Sequence, residues 1–213
     1  MNAFRLTYKF YITFFLVSFV PSFWIAKGVT EILDNVTLLA PIDAMLQMGL
    51  IEPPTTVVVM FALFVLTDRW LWKHPPLSNL FRIPNINGRY DGSLVSSFDE
   101  SQSYKVVVEI QQTLTNVFVT LYTENSSSYS LAADVGVNEH KNWSVFYIYQ
   151  NRTATVNHNQ DMKDHNGTCV LDIFDEGKTL KGNYYNNPRD RGRHGSIELK
   201  RVSGSLKGRF EDL

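Results

Sequence analysis

The chain has 213 residues and a mass of 24.4 kDa, room for one medium domain or a small domain with an appendage. Apolar residues at 44% and charged residues at 19% exclude an intrinsically disordered tail protein. Twenty basic against 21 acidic side chains leave a net charge of -1, which argues against coating nucleic acid with a basic face, and one cysteine, Cys169, excludes an internal disulfide and a Cys-rich zinc site.

Uninterrupted hydrophobicity is confined to the first 72 residues. Residues 10–26, FYITFFLVSFVPSFWIA, carry no charge. At ~1.5 Å per residue they span ~25 Å, and Arg5, Lys9 and Lys27 can snorkel to reach across a ~30 Å hydrocarbon core. Pro21 predicts a kink. A signal-peptide core fits less well, because the stretch is long and aromatic and no A-x-A-like cleavage site follows. The second stretch opens with Pro53 and Pro54, suited to a first helical turn, and runs to Trp70 and Trp72, which with Lys73 read as an interfacial belt. The pattern predicts a transmembrane helical hairpin within residues 1–75, with spans at about 10–27 and 53–72. Arg5 and Lys9 precede the first span, and Arg69, Lys73 and Arg82 end or follow the second. The connector 28–52 has no Lys or Arg but four acidic residues. The positive-inside rule then places both termini, and everything after residue 75, on the cytoplasmic side of the membrane.

Pro75, Pro76 and Pro84 punctuate a linker at 76–85. Beyond it, over 86–213, period-two alternation replaces the helical pattern. Eight strands are predicted, at 88–96, 104–113, 117–124, 129–137, 143–151, 168–175, 179–186 and 195–202, joined by short turns rich in Asn, Gly, Ser and Thr. In the second, Tyr104, Val106, Val108 and Ile110 share one face; in the fifth, Trp143, Val145, Tyr147 and Tyr149 do. With no helix between strands, the expected fold is an all-β domain, a lipocalin-like up-and-down antiparallel barrel wide enough for side chains or one small ligand. A β-sandwich is the runner-up.

The densest polar constellation lies between the last two strands. Asn187, Arg189, Arg191 and Arg193 combine guanidinium forks, which bind phosphate oxygens bidentately, with an amide that can read a base or ribose edge. Tyr90 and Tyr184, with Tyr185, offer stacking faces for bases. A solvated hairpin tip in which Asp190 pairs with its neighbours accounts for the same residues equally well. Catalytic signals are weaker. His158, Asp161 and His165 lack a fourth metal ligand at fixed spacing, Cys169 sits among apolar strand residues, and no phosphate-binding or nucleophile-elbow motif occurs. The expectation is a protein that is not an enzyme and holds no metal or resident cofactor.

The hairpin, the Pro-rich linker, INGRYDGSL at 86–94 and LKGNYYNNPRDRGRHGSIELKR at 180–201 together resemble the two-transmembrane-helix β-barrel effectors of CBASS, the bacterial cyclic-oligonucleotide-based antiphage signalling system. The resemblance implies a barrel that receives a cyclic dinucleotide made by a cognate nucleotidyltransferase. Binding in that family drives homo-oligomerisation and disruption of the inner membrane, so that the infected cell dies or stops growing. Two other classes stay open at this point: a membrane-anchored lipocalin-like carrier or sensor of a small apolar ligand, and a membrane-bound enzyme.

Overall fold

A computed structural model of the chain describes residues 8–35, 41, 42, 45, 48, 56–153, 164–187 and 192–210. It divides into two compact units, Leu6–Phe81 and the chain from Arg82 onward.

In the first unit, α1 (Tyr8–Asn35) packs against α2 (Thr56–Arg69). Helix α1 runs on through Pro21 and extends eight residues beyond the expected span. A side-chain pair between Lys27 and Glu31 (3.8 Å, one helical turn apart) supports that extension, and the Thr30 hydroxyl donates to Ala26 O at 3.1 Å. The polar groups within the apolar stretch are answered by the helix itself: Ser22 Oγ donates to Ser18 O at 2.7 Å, and Ser18 Oγ to Phe15 O at 3.2 Å. Helix α2 stops at Arg69, three residues short of the expectation, and a 3-10 turn at Leu71–Lys73 follows it. A five-residue helix, α3 (Leu77–Phe81), lies in the segment expected to be a plain linker. Among the described residues no helix is both long and apolar enough to cross a membrane.

The second unit is a closed eight-stranded barrel: β1 (Gly88–Ser96), β2 (Asp99–Gln112), β3 (Val117–Tyr122), β4 (Ser126–Val137), β5 (Trp143–Thr153), β6 (His165–Phe174), β7 (Thr179–Asn186) and β8 (His194–Ser203). Each strand pairs antiparallel with the next and β8 returns to β1, which is the up-and-down topology the sequence predicts and excludes the sandwich. Alternation supplies the interior, with Tyr90, Val108, Val119, Val135, Val145, Leu171, Leu180 and Leu199 facing inward from all eight strands. In β4 the register shifts between Ser130 and Ala132. The extra residue moves the inward phase from Ser128 and Ser130 to Ala133 and Val135, and turns Leu131 out to solvent.

The end of the barrel where β1 begins is plugged. Ile86 is fully buried, its N–H donating to Gln112 Oε1 at 2.8 Å, while Gln112 Nε2 donates to Pro84 O at 3.1 Å. Buried amide groups at the plug therefore find partners in a side chain rather than in water. The other end carries the β1–β2, β3–β4, β5–β6 and β7–β8 connections and, among the described residues, is hollow.

Candidate functional site: a tyrosine-walled cavity

The hollow end encloses a cavity of about 440 Å³, within the range that holds a small organic ligand. Its floor is aliphatic, from Leu94, Val106, Leu121 and Ile197. Its wall is aromatic, from Tyr104, Tyr147, Tyr149 and Tyr184, and its upper part polar, from Ser126, Ser128, Asn151, His165 and Asn186. Lys105 and Arg193 bring cations to the rim.

Two glycines shape the aromatic wall. Gly167 on β6 faces Tyr149 on β5, and a Cβ there would lie 2.4 Å from the Tyr149 ring. Gly195 on β8 faces Tyr184 on β7, where a Cβ would come within 2.6 Å of the ring. Each ring thus lies over bare backbone of the neighbouring strand, which sets its height and leaves the volume beyond it empty. The Tyr147 and Tyr149 ring centres are 6.0 Å apart and tilted by 54°. Tyr149 donates its hydroxyl to Asn186 Oδ1 at 2.7 Å and meets the His165 ring edge-on at 6.4 Å. Asn151 Nδ2 donates to Ser128 Oγ at 2.9 Å and to Ser126 Oγ at 3.2 Å.

Burial raises the pKa of Tyr147, Tyr149 and Tyr184, and pushes the Cys169 thiol behind them up to about 12. These three phenols therefore hold their protons still more firmly than an exposed tyrosine, and a phosphate beside them meets no phenolate at neutral pH. At the rim, the Arg193 guanidinium lies 4.2 Å from the centre of the Phe98 ring, a cation–π contact that bridges the β7–β8 and β1–β2 connections. Uncharged stacking faces with cations at the mouth suit a flat, anionic ligand.

The expected ligand residues are distributed unevenly over this geometry. Tyr184 and Arg193 line the cavity. Asn187 lies just past the end of β7, where its N–H donates to Asn166 O at 2.9 Å, and it is not part of the lining. Arg189 and Arg191 fall outside the described residues, as do His158 and Asp161. Tyr90 requires a correction. It points inward as expected, but at the plugged end, fully buried, with its hydroxyl directed at Gly177 O (2.7 Å) and Ile86 O (3.0 Å). It belongs to the core and offers no stacking face. Tyr185 points outward and stacks on His194, ring centres 6.4 Å apart.

Sequence reasoning missed Tyr147, Tyr149 and Asn151 as candidate site residues. A signal for them existed: polar and phenolic side chains continuing the inward phase of an apolar strand must face either a hydrogen-bonded core or a cavity.

Residues 81–201, which cover the barrel up to the last two residues of β8, match the family model described as Cap15, cyclic dinucleotide receptor domain. The chain is 24% identical over 144 residues to CD-NTase-associated protein 15 of Yersinia aleksiciae, covering 68% of each chain. It is 34% identical over 98 residues to the protein of the same name from Staphylococcus schleiferi, covering 44% of this chain and 51% of that one. These matches bear out the resemblance to CBASS effectors, and with more than half of its length accounted for by the family model, the chain belongs to the Cap15 cyclic dinucleotide receptor domain family.

Proposed function

We propose that this protein is a CBASS antiphage effector whose barrel takes a cyclic dinucleotide into the tyrosine-walled cavity, and whose helical hairpin then disrupts the bacterial inner membrane. The observation that carries the reading is the coincidence of the receptor-domain match with a barrel whose cavity pairs uncharged aromatic walls with Lys105 and Arg193 at its rim. Two bases find stacking faces and two phosphates find cations, which is the chemistry of a cyclic dinucleotide. A thermal-shift titration of the purified full chain against cyclic di-AMP, cyclic di-GMP, cyclic GMP–AMP and cyclic di-UMP tests it. A midpoint that rises with concentration for one of them is the linkage of a ligand bound by the folded state alone. No shift with any of the four removes the receptor reading. A shift with a long-chain fatty acid instead supports an anchored carrier of an apolar ligand, the reading that the aliphatic floor of the cavity favours.

In this proposal the protein performs no catalysis, needs no cofactor and releases its ligand unchanged. A cognate nucleotidyltransferase supplies the ligand. Bound ligand stabilises an assembled form through contacts absent from the unliganded one, since a ligand shifts an equilibrium only by its differential affinity. The membrane role is supported by the uncharged stretch 10–26 and by the outward exposure of Phe19, Phe23 and Trp24 on α1 and Val57, Val58 and Phe61 on α2. The distribution of Lys and Arg supports an inner-membrane location with both termini and the barrel in the cytoplasm. Phe61→Asp, which places a charge on the exposed face of α2, is expected to abolish ligand-induced killing while the cavity still binds its nucleotide. Killing at the parental level by this variant removes membrane disruption as the output.

A further inference from the structure

The chain continues past the family-matched residues 81–201. Its last described segment, residues 205–210, is held along β1 and β2 by two buried side chains. Arg89 donates from Nη1 to Arg209 O at 2.7 Å and from Nη2 to Phe210 O at 2.9 Å. Glu109 accepts from Lys207 N at 2.7 Å and from Gly208 N at 3.0 Å. The two clamp residues are themselves paired, Nη1 to Oε1 at 2.9 Å, with only 2% and 5% of each side chain exposed. A buried ion pair is tolerable when hydrogen bonds take up its charged atoms, and here peptide groups of the segment meet both terminal nitrogens of Arg89 and both carboxylate oxygens of Glu109. The clamp engages the backbone, so it fixes where the segment runs independently of its side chains.

The clamp delivers Phe210. The half-buried Phe210 ring lines the cavity, with Lys105 Nζ 5.8 Å from its centre. Lys105 lies on the outward phase of β2, between the inward Tyr104 and Val106, and an outward residue can line an interior only where the wall is open. The pairing shows the opening. Strand β2 pairs with β3 over Val107 to Gln112, whereas Ser103, Tyr104, Lys105 and Val106 have partners on β1 and none on β3 among the described residues. Strand β3 ends at Tyr122, and the chain turns through Thr123, Glu124 and Asn125, all of which line the cavity. The result is a notch in the side of the barrel beside β2, with Phe210 beside it.

Resting on the receptor reading above, we propose that residues 205–210 form a strap that completes the nucleotide cavity at this notch, with Phe210 as a ligand-contacting residue that stacks on one base and Lys105 as the cation for the adjacent phosphate. The strap adds to Tyr104 a second aromatic face, from outside the eight strands. It also makes affinity depend on a segment outside the family-matched region.

The test uses the purified full chain and the same four cyclic dinucleotides, with affinity read by calorimetry and the unliganded thermal midpoint measured for every variant. For the nucleotide the parent binds, Phe210→Ala is expected to weaken affinity about five- to a hundredfold, the range of one lost base–aromatic stack. Phe210→Tyr, which keeps the aromatic face, stays within about threefold, and neither variant moves the unliganded midpoint by more than ~2 °C because the Phe210 ring lies outside the barrel core. Parental affinity in Phe210→Ala overturns the strap proposal and leaves the receptor reading standing. Equal loss in Phe210→Tyr and Phe210→Ala overturns the stacking role. A parent chain that binds none of the four overturns the receptor reading and the strap with it.

Discussion

At the plugged end of the barrel, Tyr90 is fully buried and spends its hydroxyl on two backbone carbonyls, Gly177 O and Ile86 O. At the hollow end, Tyr147, Tyr149 and Tyr184 also point inward from strands of the same sheet, yet they wall a cavity of about 440 Å³. Residue type and alternation phase are the same at both ends. What differs is the company. Near Tyr90 stand Ile86, Val108 and Leu180, which fill space, and a linker segment that folds back as a plug. Opposite Tyr149 and Tyr184 stand Gly167 and Gly195, which leave space beyond the rings. A barrel interior becomes a binding site where small residues face large ones, and at this end no described segment returns between the strands as Ile86 does at the other.

The largest expected effect breaks this comparison from the plugged side. Tyr90→Ala should lower unfolding free energy by about 3–5 kcal/mol, through lost burial and a cavity that cannot collapse. Tyr90→Phe should cost about 1–3 kcal/mol, because it strips the carbonyls of Gly177 and Ile86 of their hydroxyl donor while leaving the ring packed. Urea titration checks both. Neither substitution should change nucleotide affinity under conditions where the variant stays folded; a matching affinity loss would mean that the two ends are coupled.

From the hollow side the expected effect is on binding. Arg193 stands on an exposed connection with its guanidinium over Phe98, so Arg193→Ala should leave stability within about 0.5 kcal/mol of the parent. If Arg193 holds a phosphate of the ligand, the same substitution should weaken binding by about 1.5–3 kcal/mol, the worth of a charge-assisted hydrogen bond. The loss should shrink in high salt. Unchanged affinity would move the phosphate contact to another cation.

Legibility in the sequence follows the same division. The barrel was readable because period-two alternation and turn chemistry are local, and β1, β3 and β7 begin at the expected residues. The wall positions of Tyr147 and Tyr149 were readable as a shared face of β5, but not as a cavity, because emptiness depends on what the opposite strand contributes. Tyr90 was misplaced for a related reason: phase gives the side of the sheet a residue faces, not the end of the barrel it occupies. The Arg89–Glu109 clamp joins residues twenty apart in β1 and β2 to a segment about a hundred residues further on, and no local pattern encodes that meeting. Lys105 followed the outward phase as a solvated charge should, and only the early end of β3 opens the wall beside it.

The smallest expected effect separates the two ends by pH. Burial raises Tyr90 from 10.0 to about 12 at the plugged end, and Cys169 from 9.0 to about 12 behind the tyrosine wall. In both cases the folded state holds its proton more tightly than the unfolded chain. The stability linked to each group is fully present below its unfolded value and is lost as pH rises towards the folded one. Below pH 9.0 neither group contributes a slope, and between 9.0 and 10.0 the decline belongs mainly to the thiol, because the unfolded tyrosines are still protonated there. Above 10.0 Tyr90 joins it, together with Tyr147, Tyr149 and Tyr184, which burial also raises. Thermal midpoints measured from pH 8 to 11 should therefore be level at first and fall from about pH 9. Cys169→Ala should move the start of the fall up by about one pH unit, and Tyr90→Phe should leave the start in place while making the fall above pH 10 shallower. A start that stays near pH 9 in Cys169→Ala would mean that another group sets it, and that the thiol holds its proton no more tightly in the folded barrel than in the unfolded chain.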